Sequence, residues 1–244
     1  MPPKIIFIVP YRHRIQHLTH FRQYMKHILE DVSDYKIYIA HQDDTRTFNR
    51  GAVKNIGFLA MKQLYPNDYK NITFVFNDVD TMPFTKNIIN YNTTPGIIKH
   101  FYGFKNALGG IFSIKGGDFE KIKGFPNFWS WGGEDNEIHH RAVQSGLKID
   151  RSVFYPLDNP NILQFYDGMT KALNRKELKA VGIKDNNLTS LYNIKCVIKG
   201  DWINIKQFEA EYSDRKYQLE DVFLNNIADK LKDKKHRKVN LVMF

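Results

Sequence analysis

The stretch Ile72-Thr73-Phe74-Val75-Phe76-Asn77-Asp78-Val79-Asp80 decides how this chain is read. Residues 72–76 are rich in β-branched and aromatic side chains, the pattern of a buried strand. The run ends abruptly in two carboxylates at i and i+2, which a sheet would hold at one edge. Two earlier segments repeat the design. Residues 4–9 are a continuous apolar run closed by Pro10, and residues 35–40 form a second strand. Between them Ile15, Leu18, Phe21, Met25, Ile28 and Leu29 recur at helical spacing. Val53, Ile56, Leu59, Ala60 and Leu64 mark another helix over residues 51–64. Strands alternating with amphipathic helices predict an α/β fold with a mostly parallel, twisted central sheet flanked by helices. In such sheets ligands bind beyond the carboxyl ends of the strands. Three polar clusters follow strand ends here: Tyr11-Arg12-His13-Arg14, residues 43–50, and Asp78-Val79-Asp80. They are expected to converge on one cleft.

The second half is less regular. Gly109-Gly110 leads into a short strand at 111–114, and residues 125–133 form an aromatic, glycine-bearing loop. Glu134 begins a helix that stops near Gly146. Residues 156–188 read mostly as loop with a short helix around Lys176. Residues 192–205 read as a hairpin turning at Gly200-Asp201. From about Lys216 the chain reads as a mixed-charge helix with a basic end.

The 244 residues suffice for one large domain with a real core. The net charge of +10 invites an anionic partner: nucleic acid, membrane surface or a phosphate-bearing small molecule. No aromatic RNA-binding signature and no P-loop is present, so no specific nucleic acid is expected. The basic tail leaves weak contact with a membrane or anionic surface open. One cysteine, Cys196, excludes an intrachain disulfide and a Cys-rich zinc site. No apolar run approaches a membrane span, and residues 1–4 lack a secretory signal. A soluble, cytoplasmic protein is the expectation. The bias towards Lys, Ile and Asn suggests an AT-rich viral or bacterial source, with the host cytoplasm or virion as the place in the viral case. His13, His17 and His20 fall on one helix face, but no carboxylate or cysteine completes a zinc site there, and a solvated face is expected.

Two motifs carry chemistry. Asp78-Val79-Asp80 offers hard oxygen ligands suited to Mg²⁺ or Mn²⁺ beside a diphosphate; turn chemistry at a strand end is the plainer reading. Trp129-Ser130-Trp131-Gly132-Gly133-Glu134-Asp135 sets indole walls beside glycines and carboxylates. Such walls stack on sugar rings, glycines admit close approach, and carboxylates bind hydroxyls or act as bases. The plainer reading is that Glu134 and Asp135 stabilise the positive end of a helix, and both readings hold together.

These residues resemble the β-1,4-galactosyltransferases and their relatives among the inverting GT-A glycosyltransferases. The shared pattern stands here as Pro10-Tyr11-Arg12-His13-Arg14, Phe48-Asn49-Arg50-Gly51-Ala52, Asn77-Asp78-Val79-Asp80, Leu108-Gly109-Gly110 and residues 129–135, in the family's order. The resemblance covers residues 4 to about 150. It implies a single GT-A domain over 1–244: a Rossmann-like nucleotide-sugar half (1–100), an acceptor and catalytic half (101–210) and a C-terminal basic helix (211–244). It implies transfer of galactose or N-acetylgalactosamine from a UDP-sugar to a hydroxyl of a glycan or glycoconjugate. Pro10, Tyr11, Arg12 and Arg14 would wall the nucleotide, Phe48 and Arg50 would form the uridine pocket, and Asp78 would contact ribose or the metal shell. Val79, Gly110 and Gly133 would line the donor site. Trp131 would pack over donor and acceptor, Glu134 would hold donor-sugar hydroxyls, and Asp135 would be the catalytic base. Asp80 would bind Mn²⁺ or Mg²⁺.

Three departures from the family pattern bear on these roles. The family's downstream metal-site histidine has no counterpart between His140 and His236, leaving Gln164 or Asp167 as oxygen donors. Ala107 stands where galactosyl enzymes carry an aromatic residue, which leaves room for an N-acetyl group. Asn136, followed by Glu137, replaces the acid after Asp135. The incomplete metal site makes a catalytically inactive sugar- or UDP-binding module of the same fold the alternative reading.

Overall fold

The computed structural model describes residues 2–129, 131–165 and 186–210. The expected helices around Lys176 and from Lys216, and Asp167, lie outside the described residues. The sheet strands β1 (Ile5–Tyr11), β2 (Tyr35–Gln42) and β3 (Thr73–Asn77) alternate with helices α1 (Ile15–Ile28) and α2 (Arg50–Leu64). β1 lies between β2 and β3 and is parallel to both, with Phe7 opposite Ile37 on one side and Val75 on the other. The chain therefore steps from β1 to β2 in one direction, then across β1 to β3 in the other. That reversal opens a crevice at the carboxyl ends of β1 and β3, where α/β sheets bind ligands.

Every residue of β1 and β3 is buried because both faces are covered. α1 packs Leu18, Phe21 and Met25 against Phe7, Val9 and Val75 on one face. α2 packs Ala52, Val53 and Ile56 with Ile6, Ile8 and Phe76 on the other. The odd and even residues of each strand feed opposite layers, as the period of two requires.

The sheet as a whole is mixed. Its order is β10-β11-β2-β1-β3-β6-β5-β7, with β8 also paired to β5. β6 (Ile111–Lys115) is antiparallel to β3 and to β5 (Ile97–Gly103), while β7 (Lys148–Asp150) and β8 (Tyr155–Pro156) are parallel to β5. The expected hairpin is present as β10 (Tyr192–Lys199) and β11 (Trp202–Glu209), and β11 extends the sheet parallel to β2. A small second sheet pairs β4 (Thr81–Pro83) with β9 (Ile162–Gln164). Helices α3 (Gly116–Lys121) and α4 (Glu134–Gln144) and a single 3-10 turn at Leu188–Ser190 complete the described elements. Among the described residues, no helix is long and apolar enough to cross a membrane.

Candidate active site

The crevice between the ends of β1 and β3 gathers charge from four segments. Asn49 caps α2, its side-chain oxygen accepting from the Ala52 amide at 2.9 Å, so Arg50 starts the helix at a fixed point. Asn49 is itself fixed: its amide donates to Gln42 at 2.8 Å and its side chain to the Asn127 carbonyl at 3.0 Å. Asp78 follows β3 directly, and its amide donates to the Gly110 carbonyl at 3.1 Å. Gly133 caps α4 with φ 84°, a left-handed conformation that a side chain would strain, and Glu134 and Asp135 open the helix.

Arg50 joins these segments. Its Nη1 donates to Glu134 Oε1 at 2.6 Å and to both Asp135 oxygens at 2.9 Å. Its Nη2 donates to both Asp78 oxygens at 2.8 and 2.7 Å, and its Nε adds a bond to Asp78 Oδ1 at 3.1 Å. One guanidinium thus serves three carboxylates from two elements, which its planar fork permits and an ammonium would not. Gly109 borders the same carboxylates: a Cβ there would lie 2.4 Å from Asp135 Oδ2. The Leu108 amide donates to the Asp135 carbonyl at 2.7 Å, so the Gly-Gly segment and the start of α4 are locked together.

The electrostatics split the acids. Burial raises the pKa of Glu134, and the neighbouring Asp135 charge adds to that. Burial and the Asp78 charge likewise raise Asp80. Burial also opposes ionisation of Asp78, but the charges of Arg50 and Lys54 outweigh it and lower its pKa. Helix α4 carries acids at its first turn, where the backbone dipole favours them.

Asp80 sits apart from the Arg50 cluster. Its Oδ2 accepts from Arg14 Nη1 at 3.0 Å. The Phe165 amide donates to the Asp80 carbonyl at 2.8 Å, and Gln164 pairs with Thr81 across β4 and β9. Gln164 therefore stands beside Asp80, with its Oε1 accepting from the Tyr102 hydroxyl. A carboxylate and an amide oxygen are the donor chemistry of a hard divalent cation. Among the described residues, no group of three His, Cys, Asp or Glu side chains comes together to hold a metal. The donor types of Asp80 and Gln164 fit Mg²⁺ or Mn²⁺.

The other expected residues fall in several places. Arg12 turns to the segment after β2, donating to Asp44 Oδ1 and to its carbonyl at 3.0 Å each. Pro10 and Val79 are buried, and Phe48 packs against the α2-side core. Tyr11 is buried among His41 and Trp202, with ring centres 5.2 and 5.7 Å away. The two indoles of the loop part company. Trp131 is exposed, at 49%, while Trp129 is buried and stacked on Phe208 at 5.3 Å and 8°. One flat wall, not two, therefore faces outward. Asn136 is exposed and bonds to the Asn106 carbonyl, while Glu137 turns inward to Arg141 at 2.9 Å. His17 and His20 lie against Phe165, with ring centres 5.7 and 4.8 Å away.

Three contributors escaped the sequence reading. Lys54 is buried on α2, with its Nζ 3.4 Å from Asp135 and 3.7 Å from Asp78. Its spacing of four from Arg50 is the signal that places both cations on one helix face. Arg46 lies over Trp129 and Phe208, 4.6 and 4.5 Å from their ring centres, and pairs with Asp44 at 2.7 Å. His100, fully buried on β5, shares its Nε2 between the Tyr102 and Gly109 carbonyls at 3.0 and 3.2 Å. Its Nδ1 accepts from Arg151 at 3.0 Å, so the Nε2 carries the proton. Burial, with Arg151 beside it, lowers its pKa to about 4 and keeps it neutral. No sequence signal distinguished His100 from a surface histidine.

Comparison with known proteins places this architecture. Residues 2–92 match the model of the N-terminal region of glycosyl transferase group 7, and residues 98–166 match that of the N-terminal domain of galactosyltransferase. Mouse β-1,4-galactosyltransferase 1 is 36% identical over 160 residues, covering 62% of this chain and 39% of that protein. The Caenorhabditis elegans xylosylprotein 4-β-galactosyltransferase is 28% identical over 211 residues, covering 80% and 71%. The chain thus spans about two fifths of the length of the vertebrate relatives it matches. The catalytic domain of Drosophila β1,4-galactosyltransferase 7, solved with xylobiose, superposes with a TM-score of 0.68 at 22% identity over 88% of this chain and 97% of that one. A mutant of the same enzyme, solved with manganese, UDP-Gal and xylobiose, superposes equally well at 21% identity. The fold is therefore GT-A. Both group models match in order and together span roughly two thirds of the 244 residues, and the Arg50 cluster is built from segments inside them, so this chain belongs to the glycosyltransferase group 7, β-1,4-galactosyltransferase-like family.

Proposed function

We propose that this chain transfers a hexose, galactose or N-acetylgalactosamine, from a UDP-sugar to a hydroxyl of a glycan or glycoconjugate, inverting the anomeric centre in one displacement. The observation that carries this reading is the convergence of Asp78, Glu134 and Asp135 on Arg50 at the crevice between β1 and β3. The named relatives and the Drosophila complex with UDP-Gal support the donor class.

Position and chemistry support each role. Arg14 and Arg50 sit where a diphosphate would meet the strand ends, and a guanidinium fork suits phosphate oxygens. Asp135 is the base that takes the proton of the attacking hydroxyl. Glu134, buried and with a raised pKa, holds donor-sugar hydroxyls. Trp131 gives the exposed apolar face against which a sugar ring packs. The incoming diphosphate competes with the three carboxylates for Arg50, so donor binding frees the oxygens of Asp135 for the acceptor. When bound at Asp80 with Gln164, a divalent cation would stabilise the departing diphosphate as a Lewis acid.

A panel of UDP-Gal, UDP-GalNAc, UDP-Glc and UDP-GlcNAc, each with Mn²⁺, Mg²⁺ or EDTA, tests the reading. Turnover of UDP-Gal or UDP-GalNAc that rises with the cation and is lost in Asp80→Ala is expected. Failure of every donor to bind, hydrolyse or transfer would sink it. The absence of any histidine between His140 and His236 motivates the second reading, an inactive UDP- or sugar-binding module; UDP binding without turnover of any donor would support that instead.

A further inference from the structure

Lys54 has no place in the roles above, yet it is the most deeply buried charge at the site. Its side chain is 1% exposed, against 15% for Arg50 and 22% for Asp135. The ammonium lies 3.4 Å from Asp135 Oδ1 and 3.7 Å from Asp78 Oδ1. It also sits 4.6 Å from the centre of the Phe125 ring, whose face attracts a cation. Burying an ammonium is costly unless it is paired, and α2 makes the cost larger. Lys54 lies near the helix start, where the backbone dipole disfavours positive charge, and the first turn of α2 holds no acid. The compensation comes from two carboxylates on other elements, one after β3 and one on α4.

Arg50 and Lys54 differ in what a ligand can reach. Arg50 opens to the crevice and can turn from the carboxylates to a diphosphate. Lys54 lies behind Asp135, walled off by Phe125 and α2, and no solvent-borne anion can draw it away. We propose that Lys54 is a positioning residue: it keeps the Asp135 carboxylate oriented and charged at the moment when Arg50 is taken by the donor. This rests on the reading of Asp135 as the base. Without Lys54, that carboxylate would lose both cationic partners in the step where it must accept a proton.

The test compares wild type with Lys54→Met, Lys54→Gln and Lys54→Arg. UDP affinity, measured by calorimetry, is expected to stay within about threefold in all variants. Turnover of UDP-Gal or UDP-GalNAc is expected to fall roughly 10- to 100-fold in Lys54→Met and Lys54→Gln, in kcat and not in donor KM, a range ordinary for a misplaced or weakened base. Lys54→Arg is expected to recover part of that loss. A structural role alone would not give this split with arginine rescue. The carboxyl of Asp135 is also titrated by carbon NMR, assigned with Asp135→Asn. It is faced by Arg50 and Lys54 from α2, by Asp78 across Arg50, by Glu134 on α4 and by neutral His100 on β5. Its midpoint is expected to rise when Lys54 becomes Met. Unchanged kcat with an unchanged midpoint overturns the proposal, as does a loss of UDP affinity beyond tenfold, which would make Lys54 a donor-binding residue. If wild type transfers no sugar at all, glycosyl transfer fails as the function, and the Asp135 midpoint alone decides whether Lys54 holds the carboxylate. If Lys54→Met does not fold, Lys54→Gln and Lys54→Arg give the same readings.

Discussion

The two halves of the sheet are held in different ways. Around β1 and β3, apolar side chains fill both faces, and Phe76 alone meets Phe112, Phe119 and Phe125 with ring centres 4.6–5.3 Å away. Around the loop before α4, the tie is polar. Asn127 donates through its side chain to the Asn187 carbonyl at 2.7 Å and to Ser190 Oγ at 3.1 Å, and accepts from Asn55 at 2.9 Å. The first arrangement is insensitive to detail, because any well-packed apolar volume serves. The second depends on the geometry of every bond, because a buried polar atom left unpaired costs more than the bond returned. On the proposed roles, the donor-side cations come from the apolar half and the base, Asp135, from the polar half, so the difference would separate diphosphate binding from proton transfer.

Asp135→Asn should break that separation most visibly. On the proposed roles, transfer falls by about 10³-fold or more, the scale of a lost general base. UDP affinity should hold or rise, since one carboxylate competing for Arg50 is neutralised. A loss of UDP binding equal to the loss of turnover would show that the halves do not divide the work.

Stability sharpens the same contrast. Phe76→Ala should cost about 3–5 kcal/mol, as for other large-to-small changes in a tight core. Asn127→Ala should cost about 2 kcal/mol, because Asn55, the Asn187 carbonyl and Ser190 each lose one of their hydrogen bonds inside the protein. Urea unfolding reads both, and the second is the informative one. If Asn127→Ala costs less than about 0.5 kcal/mol, the polar loop is not held by this lattice.

The contrast also explains what could be read in advance. β1, α1, β2, α2 and β3 were legible because their burial is periodic: a run of apolar residues ending at Pro10, or Leu18, Phe21 and Met25 one face apart. The β10–β11 hairpin was legible from its Gly200-Asp201 turn. β5 was not, because its sequence carries Lys99 and His100 inside an apolar run, and nothing in that run announces that His100 is buried on the Tyr102 and Gly109 carbonyls with Arg151 on its other nitrogen. The antiparallel course of β6 was hidden for the same reason: nothing local in residues 111–115 specifies the direction of a neighbour. At the site, Asp78, Asp80, Glu134, Asp135 and Arg50 stood out as motifs. Lys54 did not, since a lysine on a helix is ordinarily solvated and its burial depends on Phe125 and two carboxylates from elsewhere. Trp129 stood out for the wrong reason, as its stacking partner Phe208 lies far along the chain.

The smallest expected effect lies on the segment after β2, where Arg12 is held away from the carboxylate cluster. Burial opposes ionisation of Asp44, but hydrogen bonds from Gln42, Arg46 and Arg12 outweigh it, so its pKa is lowered in the folded state. A lowered folded pKa stabilises the fold above the unfolded value near 4, and that contribution disappears as pH falls through the folded value. Asp44→Asn should therefore be less stable than wild type at pH 7, and the gap should close on acidification below about pH 4. The same substitution releases Arg12 and Arg46 from their shared carboxylate. If Arg12 then turns to the diphosphate, UDP affinity rises in Asp44→Asn and falls back in the double variant with Arg12→Ala. If affinity is unchanged in both, Arg12 serves to fix the segment after β2 and takes no part in binding the donor.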